Sequence, residues 1–211
     1  MSKKEKVLMH TCCAPCSISC IKILEEQGYA FDLFWYNPNI HPYTEYKKRL
    51  ETLEDYANSL NINLVKIDEY NLEDFVRKQL EDLETKCARV CYKIRLEQTA
   101  KYASENGYKY FTTTLLVSPY QDREKLIEVG NFMGEKYGVK FIAPKFHERF
   151  REGQNEAREL GMYMQKYCGC IFSEAERYKK HTWIIKTKTI NKKEKGNNEK
   201  YIISWWKQYN E

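Results

Sequence analysis

Apolar and polar positions along this chain fall into blocks of two periods. Short, nearly continuous apolar runs occupy residues 7–10, 31–36, 62–67, 108–117 and 139–143, the length and composition of buried strands. Between them apolar side chains recur at helical spacing. One set is Ile18, Ile21 and Leu24; a second is Tyr46, Leu50, Leu53, Ala57 and Leu60. A third is Leu72, Phe75, Val76 and Leu80, and a fourth is Leu126, Met133 and Tyr137. The punctuation agrees with the periods. Pro15 suits a first helical turn, and Gly28, Gly107 and Gly138 are natural helix stops. Asn71 followed by Asp74 reads as a cap, and Ser173 followed by Glu176 as a capping box. Helices are therefore predicted from about Pro15, from about Thr44, from Leu72, over 87–106, over 122–137, around 154–160 and from Ser173. Strands alternating with helices of ten or more residues predict an α/β fold with a parallel, doubly wound sheet. Ligands of such sheets bind beyond the carboxyl ends of the strands. The loops placed there are 11–16, 37–41 and 118–122.

Composition narrows the class. The 211 residues make one full domain with room for an appendage, and no apolar run approaches the roughly 20 residues that cross a bilayer. The opening Met-Ser-Lys-Lys-Glu-Lys is followed by only three apolar residues, too few for a secretory signal, so a cytoplasmic protein with no membrane partner is expected. The formal charge of +5 is unevenly placed. From Lys179 onward nine lysines and three glutamates give +6, leaving about −1 for the rest. Net charge thus argues for a nucleic-acid partner only through the tail. Residues 1–180 read as a catalytic α/β domain and 181–211 as a basic, Trp-containing extension, whose plainer role is packing, since lysine runs are usually solvated.

Sulfur changes the picture most. Four of eight cysteines lie in H-T-C-C-A-P-C-S-I-S-C, residues 10–20. In a reducing compartment this density points to metal ligation or thiol chemistry. Cys12 and Cys13 are adjacent and can face one metal. Cys16 lies one helical turn on and stays open as a ligand, while Cys20, amid Ile18 and Ile21, reads as a small buried hydrophobe. Cys87 and Cys91 share a helix face. With Cys12 and Cys13 they make four thiolates, the complement of a [4Fe–4S] cluster or a structural zinc. Cys168-Gly169-Cys170 permits either a small strained disulfide or two thiolates on one metal.

Polar side chains crowd the same strand exits: Asn37, Asn39, His41 and Tyr43 after the second strand, Tyr120, Gln121 and Asp122 after the fourth. Most suit turns, and Asp122 could simply cap its helix. A reduction that expels oxygen as water needs an acid, and Asp122, His41 and Tyr120 qualify. The first strand-to-helix loop holds no glycine, so ATP or dinucleotide binding there is not expected.

Five stretches carry a resemblance to a known family. They are H-T-C-C-A-P-C-S, F-W-Y-N-P-N-I-H-P-Y-T-E-Y-K-K-R-L, C-Y-K-I-R-L-E-Q-T-A, F-T-T-T-L-L-V-S-P-Y-Q-D and F-R-E-G-Q with Y-C-G-C-I-F-S-E. Together they resemble the QueH-type epoxyqueuosine reductases over residues 7–180. The resemblance implies a Rossmann-like (HUP-type) sheet and reduction of epoxyqueuosine at the tRNA wobble position to queuosine without cobalamin. It implies a [4Fe–4S] cluster held by Cys12, Cys13, Cys87 and Cys91, with an additional iron as a further candidate. Cys168 and Cys170 match the redox pair, with Asp122 as the acid. The expected partners are a tRNA with a GUN anticodon and a ferredoxin or flavodoxin donor. Asn37, Asn39, His41, Tyr43, Tyr120 and Arg151 are the substrate-binding candidates, the aromatics by stacking on a splayed base and Arg151, with Arg149, by holding phosphate. A zinc-stabilised tRNA-binding module and a thiol–disulfide oxidoreductase are the rival readings.

Overall fold

A computed structural model describes residues 5–81 and 87–179. It opens with β1 (Lys6–His10), α1 (Ala14–Glu26), β2 (Ala30–Trp35), α2 (Tyr43–Ser59), β3 (Leu64–Lys66) and α3 (Leu72–Leu80). A π-helical turn over Cys87–Tyr92 leads into α4 (Lys93–Glu105) and β4 (Tyr110–Thr113). Then come a 3-10 turn (Thr114–Val117), α5 (Arg123–Tyr137), β5 (Lys140–Phe141), a second 3-10 turn (Phe146–Arg149) and α6 (Phe150–Glu159). Residues 171–179 are helical. The chain divides into two compact units, Met1–Ile171 and Phe172–Glu211; of the second, residues 172–179 are described. The extension expected over 181–211 lies outside the described residues.

All five strands pair in parallel, in the order β3-β2-β1-β4-β5. This is the α/β sheet with flanking helices that the alternation of periods predicts. Val7, Leu8 and Met9 in β1 and Leu33, Phe34 and Trp35 in β2 are fully buried, as continuous apolar runs between two helical layers must be. The chain moves from β1 to β3 in one direction, then returns to β4 on the other side of β1. Right-handed crossovers therefore send the helices to opposite faces. α1 packs against α2 and α6, and α4 against α5 and β1. The reversal makes the gap between the carboxyl ends of β1 and β4 the topological switch point, where such sheets bind ligands.

Several boundaries differ from the sequence expectation. The strand expected over 108–117 stops at Thr113, whose hydroxyl accepts the Leu115 N–H at 3.1 Å and turns the chain into 3-10 geometry. The helix expected over 87–106 begins as a π-helical turn. The helix expected from Ser173 already runs from 171, so Ser173 lies inside it rather than at its cap. Leu60 and Leu80, expected on inward stripes, are exposed, because each closes its helix where the stripe has turned outward. Asn71 caps α3 through Asp74 N–H at 3.1 Å, as read from the sequence.

Candidate functional site

The floor of the site is laced from three strand ends. His10, the last residue of β1, is fully buried. Its Nε2 faces two acceptors, Asn37 Oδ1 at 3.2 Å and Tyr36 O at 3.3 Å, so Nε2 carries the proton. Nδ1 then accepts from the Thr113 hydroxyl at 2.9 Å, at the end of β4. Burial lowers the His10 pKa to about 4, so the ring is neutral. Asn37 Nδ2 donates to Thr11 O at 3.0 Å, and Thr11 N–H donates to Phe34 O at 2.8 Å. Asn37 is thus spent on holding the cysteine loop in place.

Above this floor stands a group of three thiols. The sulfurs of Cys12, Cys13 and Cys16 lie within 4.8 Å of one another and all three residues are buried. α1 begins at Ala14, so Cys16 sits in its first turn and looks back at the pair before it. Cys12 Sγ accepts from Thr114 Oγ1 at 3.4 Å, and its N–H donates to the same oxygen at 3.1 Å. Gln165 Nε2 reaches Cys13 Sγ at 3.0 Å and Cys16 Sγ at 3.4 Å. Hydrogen bonds from Cys13 and Cys16, then Thr114, hold the Cys12 thiol well below its ordinary pKa. Burial and the bond to Cys12 push Cys13 up, and its bonds to Cys12 and Cys13 push Cys16 up. Of the three, Cys12 is the thiol held toward its ionised form. Cys20 donates to Cys16 O at 3.2 Å and is fully buried among apolar side chains, the packing role expected of it.

A second sulfur group comes from elsewhere in the chain. The buried Cys91 thiol is hydrogen-bonded to Cys170, also buried, and this bond followed by burial pushes Cys91 well up. Cys168 is exposed, and its sulfur accepts from Gln121 Nε2 at 3.3 Å. Cys87 is exposed at the start of the π-helical turn. Gly169, between the two cysteines, has φ +142, and a Cβ there would meet Arg49 Nη1 and Ile40 Cγ1 at 3.2 Å. The segment is clamped by its carbonyls. Arg49 donates to Tyr167 O and Cys168 O at 2.9 Å each, and His41 N–H donates to Gly169 O at 2.8 Å.

Two buried guanidiniums border the sulfurs. Arg49, 1 % exposed, is paired with Glu45 at 2.7 Å. Arg95, also 1 % exposed, donates from Nε to Cys91 O at 2.9 Å, and its Nη2 is buried with no hydrogen-bond partner. Burial lowers its pKa, and the Cys91, Cys168 and Cys12 sulfurs, when ionised, raise it by more. Buried thiols, amide donors aimed at them and a buried cation without a carboxylate together fit an anionic, sulfur-ligated metal group.

The other residues singled out from the sequence are distributed as follows. Both ring nitrogens of His41 and both amide atoms of Asn39 are buried without hydrogen-bond partners, and burial lowers His41 to about 4. His41 meets Tyr70 edge-on and Phe75 at a tilt. Tyr43 and Tyr120 are exposed, at 54% and 85%, and Tyr120 meets Phe150 edge-on. Arg151 is exposed, while Arg149 is engaged by Glu26 and Glu152 at 2.7 Å each. Asp122 caps α5, accepting the Lys125 N–H at 3.0 Å. Sequence reasoning missed Gln165, Arg49 and Arg95 as site residues, and gave Gln121 no role. For Arg49 a signal existed: it lies beside Leu50 and Leu53 on a predicted inward helix face, where a charge needs a reason.

Among the described residues no helix is long and apolar enough to cross a membrane. A family model described as Epoxyqueuosine reductase QueH matches residues 7–176. A protein of that name from Dehalococcoides mccartyi is 34% identical over 175 residues, covering 83% of this chain and 96% of that one. Another from Thermotoga maritima is 38% identical over 188 residues, covering 84% and 95%. A third, from Acinetobacter baylyi, is 33% identical over 182 residues, covering 80% of each.

Proposed function

The chain belongs to the epoxyqueuosine reductase QueH family, and on that premise we propose how its residues reduce the epoxide of epoxyqueuosine to the alkene of queuosine, at the wobble position of a tRNA with a GUN anticodon. The observation that carries the reading is the trio of buried sulfurs at the carboxyl end of β1, together with the buried Cys91–Cys170 contact and a buried arginine whose Nη2 has no partner. The reaction takes two electrons and two protons; both carbon–oxygen bonds of the epoxide break and the oxygen leaves as water.

Cys12, Cys13 and Cys91, with Cys87 or Cys16, would hold a [4Fe–4S] cluster. When bound, that cluster supplies electrons one at a time from a ferredoxin or flavodoxin, and an additional iron beside it supplies Lewis acidity. Gln165 and Thr114 hold the thiols in place by hydrogen bonds. The C-G-C segment links the buried and open sides of the site. Cys170 touches Cys91 at the buried end, and Cys168 stands exposed at the other, where the modified base arrives. They are the redox pair of this reading. Asp122, exposed at the start of α5, supplies a proton.

Recognition follows from what is left open. Single-stranded RNA loops present splayed bases for stacking, and Tyr43 and Tyr120 offer exposed rings. Asn39 and His41 carry the unpartnered polar atoms that a base edge or the epoxide oxygen could meet. Asn37 contributes by fixing the cysteine loop, and Arg151, exposed and without an ion pair among the described residues, takes a phosphate. The test is an anaerobic assay on tRNA carrying epoxyqueuosine, with a low-potential reductant and nucleoside mass spectrometry. Conversion to queuosine is expected; none under conditions where iron and sulfide are bound would sink the reading.

A further inference from the structure

The four buried charged side chains among the described residues divide unequally. Asp32 is met by Lys6 at 2.6 Å, and Glu45 by Arg49 at 2.7 Å. Arg95 has no carboxylate partner among the described residues, and its Nη2 is a buried donor with nothing to donate to. An isolated buried cation is costly unless an anion faces it. Glu45 neutralises Arg49 and Lys6 meets Asp32, so Arg95 is the buried charge left facing the sulfurs with no carboxylate of its own among the described residues.

We propose that Arg95 is the fixed countercharge of the sulfur site. It is a positioning residue that makes the site favour a sulfur-ligated group of net negative charge, and favour it more as that charge grows on reduction. The proposal rests on the iron–sulfur reading for its redox half only. Three features support it. The guanidinium hangs from α4, whose first turn grows out of the segment bearing Cys91, and its Nε is anchored on Cys91 O at 2.9 Å. That anchor orients the remaining nitrogens. Its thiol neighbours come from three segments, through Cys12, Cys91 and Cys168, so one charge serves both sulfur groups. Arg49, by contrast, is already neutralised and is engaged by the backbone of the C-G-C segment. The two arginines thus divide the work: one clamps, the other supplies charge. A guanidinium suits the second role because it anchors through one nitrogen, Nε on Cys91 O, and still has others left to donate.

Two measurements test this. After anaerobic reconstitution, the wild type, R95K, R95M and E45Q are titrated potentiometrically, with the cluster followed by visible absorbance and folding checked by circular dichroism. R95M lowers the reduced-to-oxidised ratio at a given potential about tenfold, 59 mV for a one-electron couple. R95K keeps most of the wild-type value. E45Q, which unpairs Arg49, moves the potential the other way. Equal potentials for wild type and R95M, or an E45Q shift of the same sign as R95M, overturn the proposal. The second measurement needs no iron–sulfur group. Cobalt(II) is added to metal-free protein and thiolate-to-cobalt absorbance gives affinity. R95M binds at least tenfold more weakly than wild type, and R95K stays within about threefold. A wild type that binds cobalt but assembles no cluster sinks the iron–sulfur reading, while the R95M comparison still decides the countercharge. Wild-type affinity in R95M overturns it.

Discussion

Gln121 shows how a single side chain is set by its neighbours. An amide can point either way, but Tyr92 OH donates to its Oε1 at 3.0 Å, and the Asp122 N–H donates to the same phenol at 3.2 Å. The amide nitrogen is thereby committed to Cys168 Sγ at 3.3 Å. Desolvation of the sulfur by its neighbours, with Cys170 close by, raises the Cys168 pKa, and the Arg95 charge and the Gln121 bond work against it. Removing the donor therefore lowers the thiolate fraction at neutral pH. Gln121→Leu, close in shape, is expected to slow alkylation of Cys168 by about fivefold at pH 7.5, within the range for a hydrogen bond to a charged group discounted for exposure. Tyr92→Phe, which frees the amide to flip, gives a smaller loss in the same direction. Site-resolved mass spectrometry after timed iodoacetamide pulses reads both. Unchanged rates would mean that the bond does not act on the thiol. No part of this relay is visible in sequence, because Tyr92 and Gln121 are 29 residues apart and meet only through the fold.

At the level of elements, α5 carries two separable tests. Asp122 caps it through the Lys125 N–H and is also the candidate proton donor. Asparagine caps about as well as aspartate, and alanine does not. Asp122→Ala is expected to cost about 1 kcal/mol of stability, seen in urea unfolding, whereas Asp122→Asn keeps stability and loses most reductase turnover. Full turnover in the asparagine variant would leave Asp122 with its capping role alone. The far half of the same helix lies against β5 through glycines. A Cβ on Gly134 would stand 2.6 Å from Val139 O, and one on Gly130 2.5 Å from the Phe141 ring. The ring can rotate; the carbonyl belongs to backbone. Gly134→Ala is thus the more damaging change, about 1–3 kcal/mol by overpacking, read as a lower urea midpoint with unchanged m-value. If Gly130→Ala cost more, the assignment of rigid and yielding partners would be reversed. Element type was legible because each run keeps one period. Ends were less so: β4 stops at Thr113 through a hydroxyl–backbone bond that hydropathy does not register.

At the scale of the whole molecule, the parallel α/β class follows from the alternation of periods, but the strand order does not. That order decides which loops meet. Cys12 and Cys13 were legible as a pair because they are local, and Cys16 joins them only because α1 starts at Ala14 and turns its thiol inward. Cys91 meeting Cys170 depends on the long return from β3 to β4, which no spacing records. The same fold writes a pH dependence into stability. His41 is fully buried with both ring nitrogens unpartnered, and burial lowers its pKa from 6.5 to about 4. The unfolded chain takes up a proton near pH 6.5 that the folded protein refuses until about pH 4. Between these values the unfolded state binds more protons, so stability is fully present above pH 6.5 and falls as pH drops through the window. A displacement of this size corresponds to about 3 kcal/mol when complete at pH 4. His10, lowered to about 4 by burial, adds in the same sense. Carboxylates held low by ion pairs, Glu97 beside Lys136 for one, lose their contribution only below about pH 4.5, whereas the Cys12 thiol, held well below its ordinary range, acts in the same sense as the histidines. Urea unfolding of wild type and His41→Gln at half-unit steps from about pH 6.5 to 5 isolates the share of His41. The variant is expected to show a shallower slope than wild type, whatever its stability at pH 7. A slope equal to wild type would mean that the buried ring is protonated in the folded state, and that its unpartnered nitrogens are already met by an acceptor.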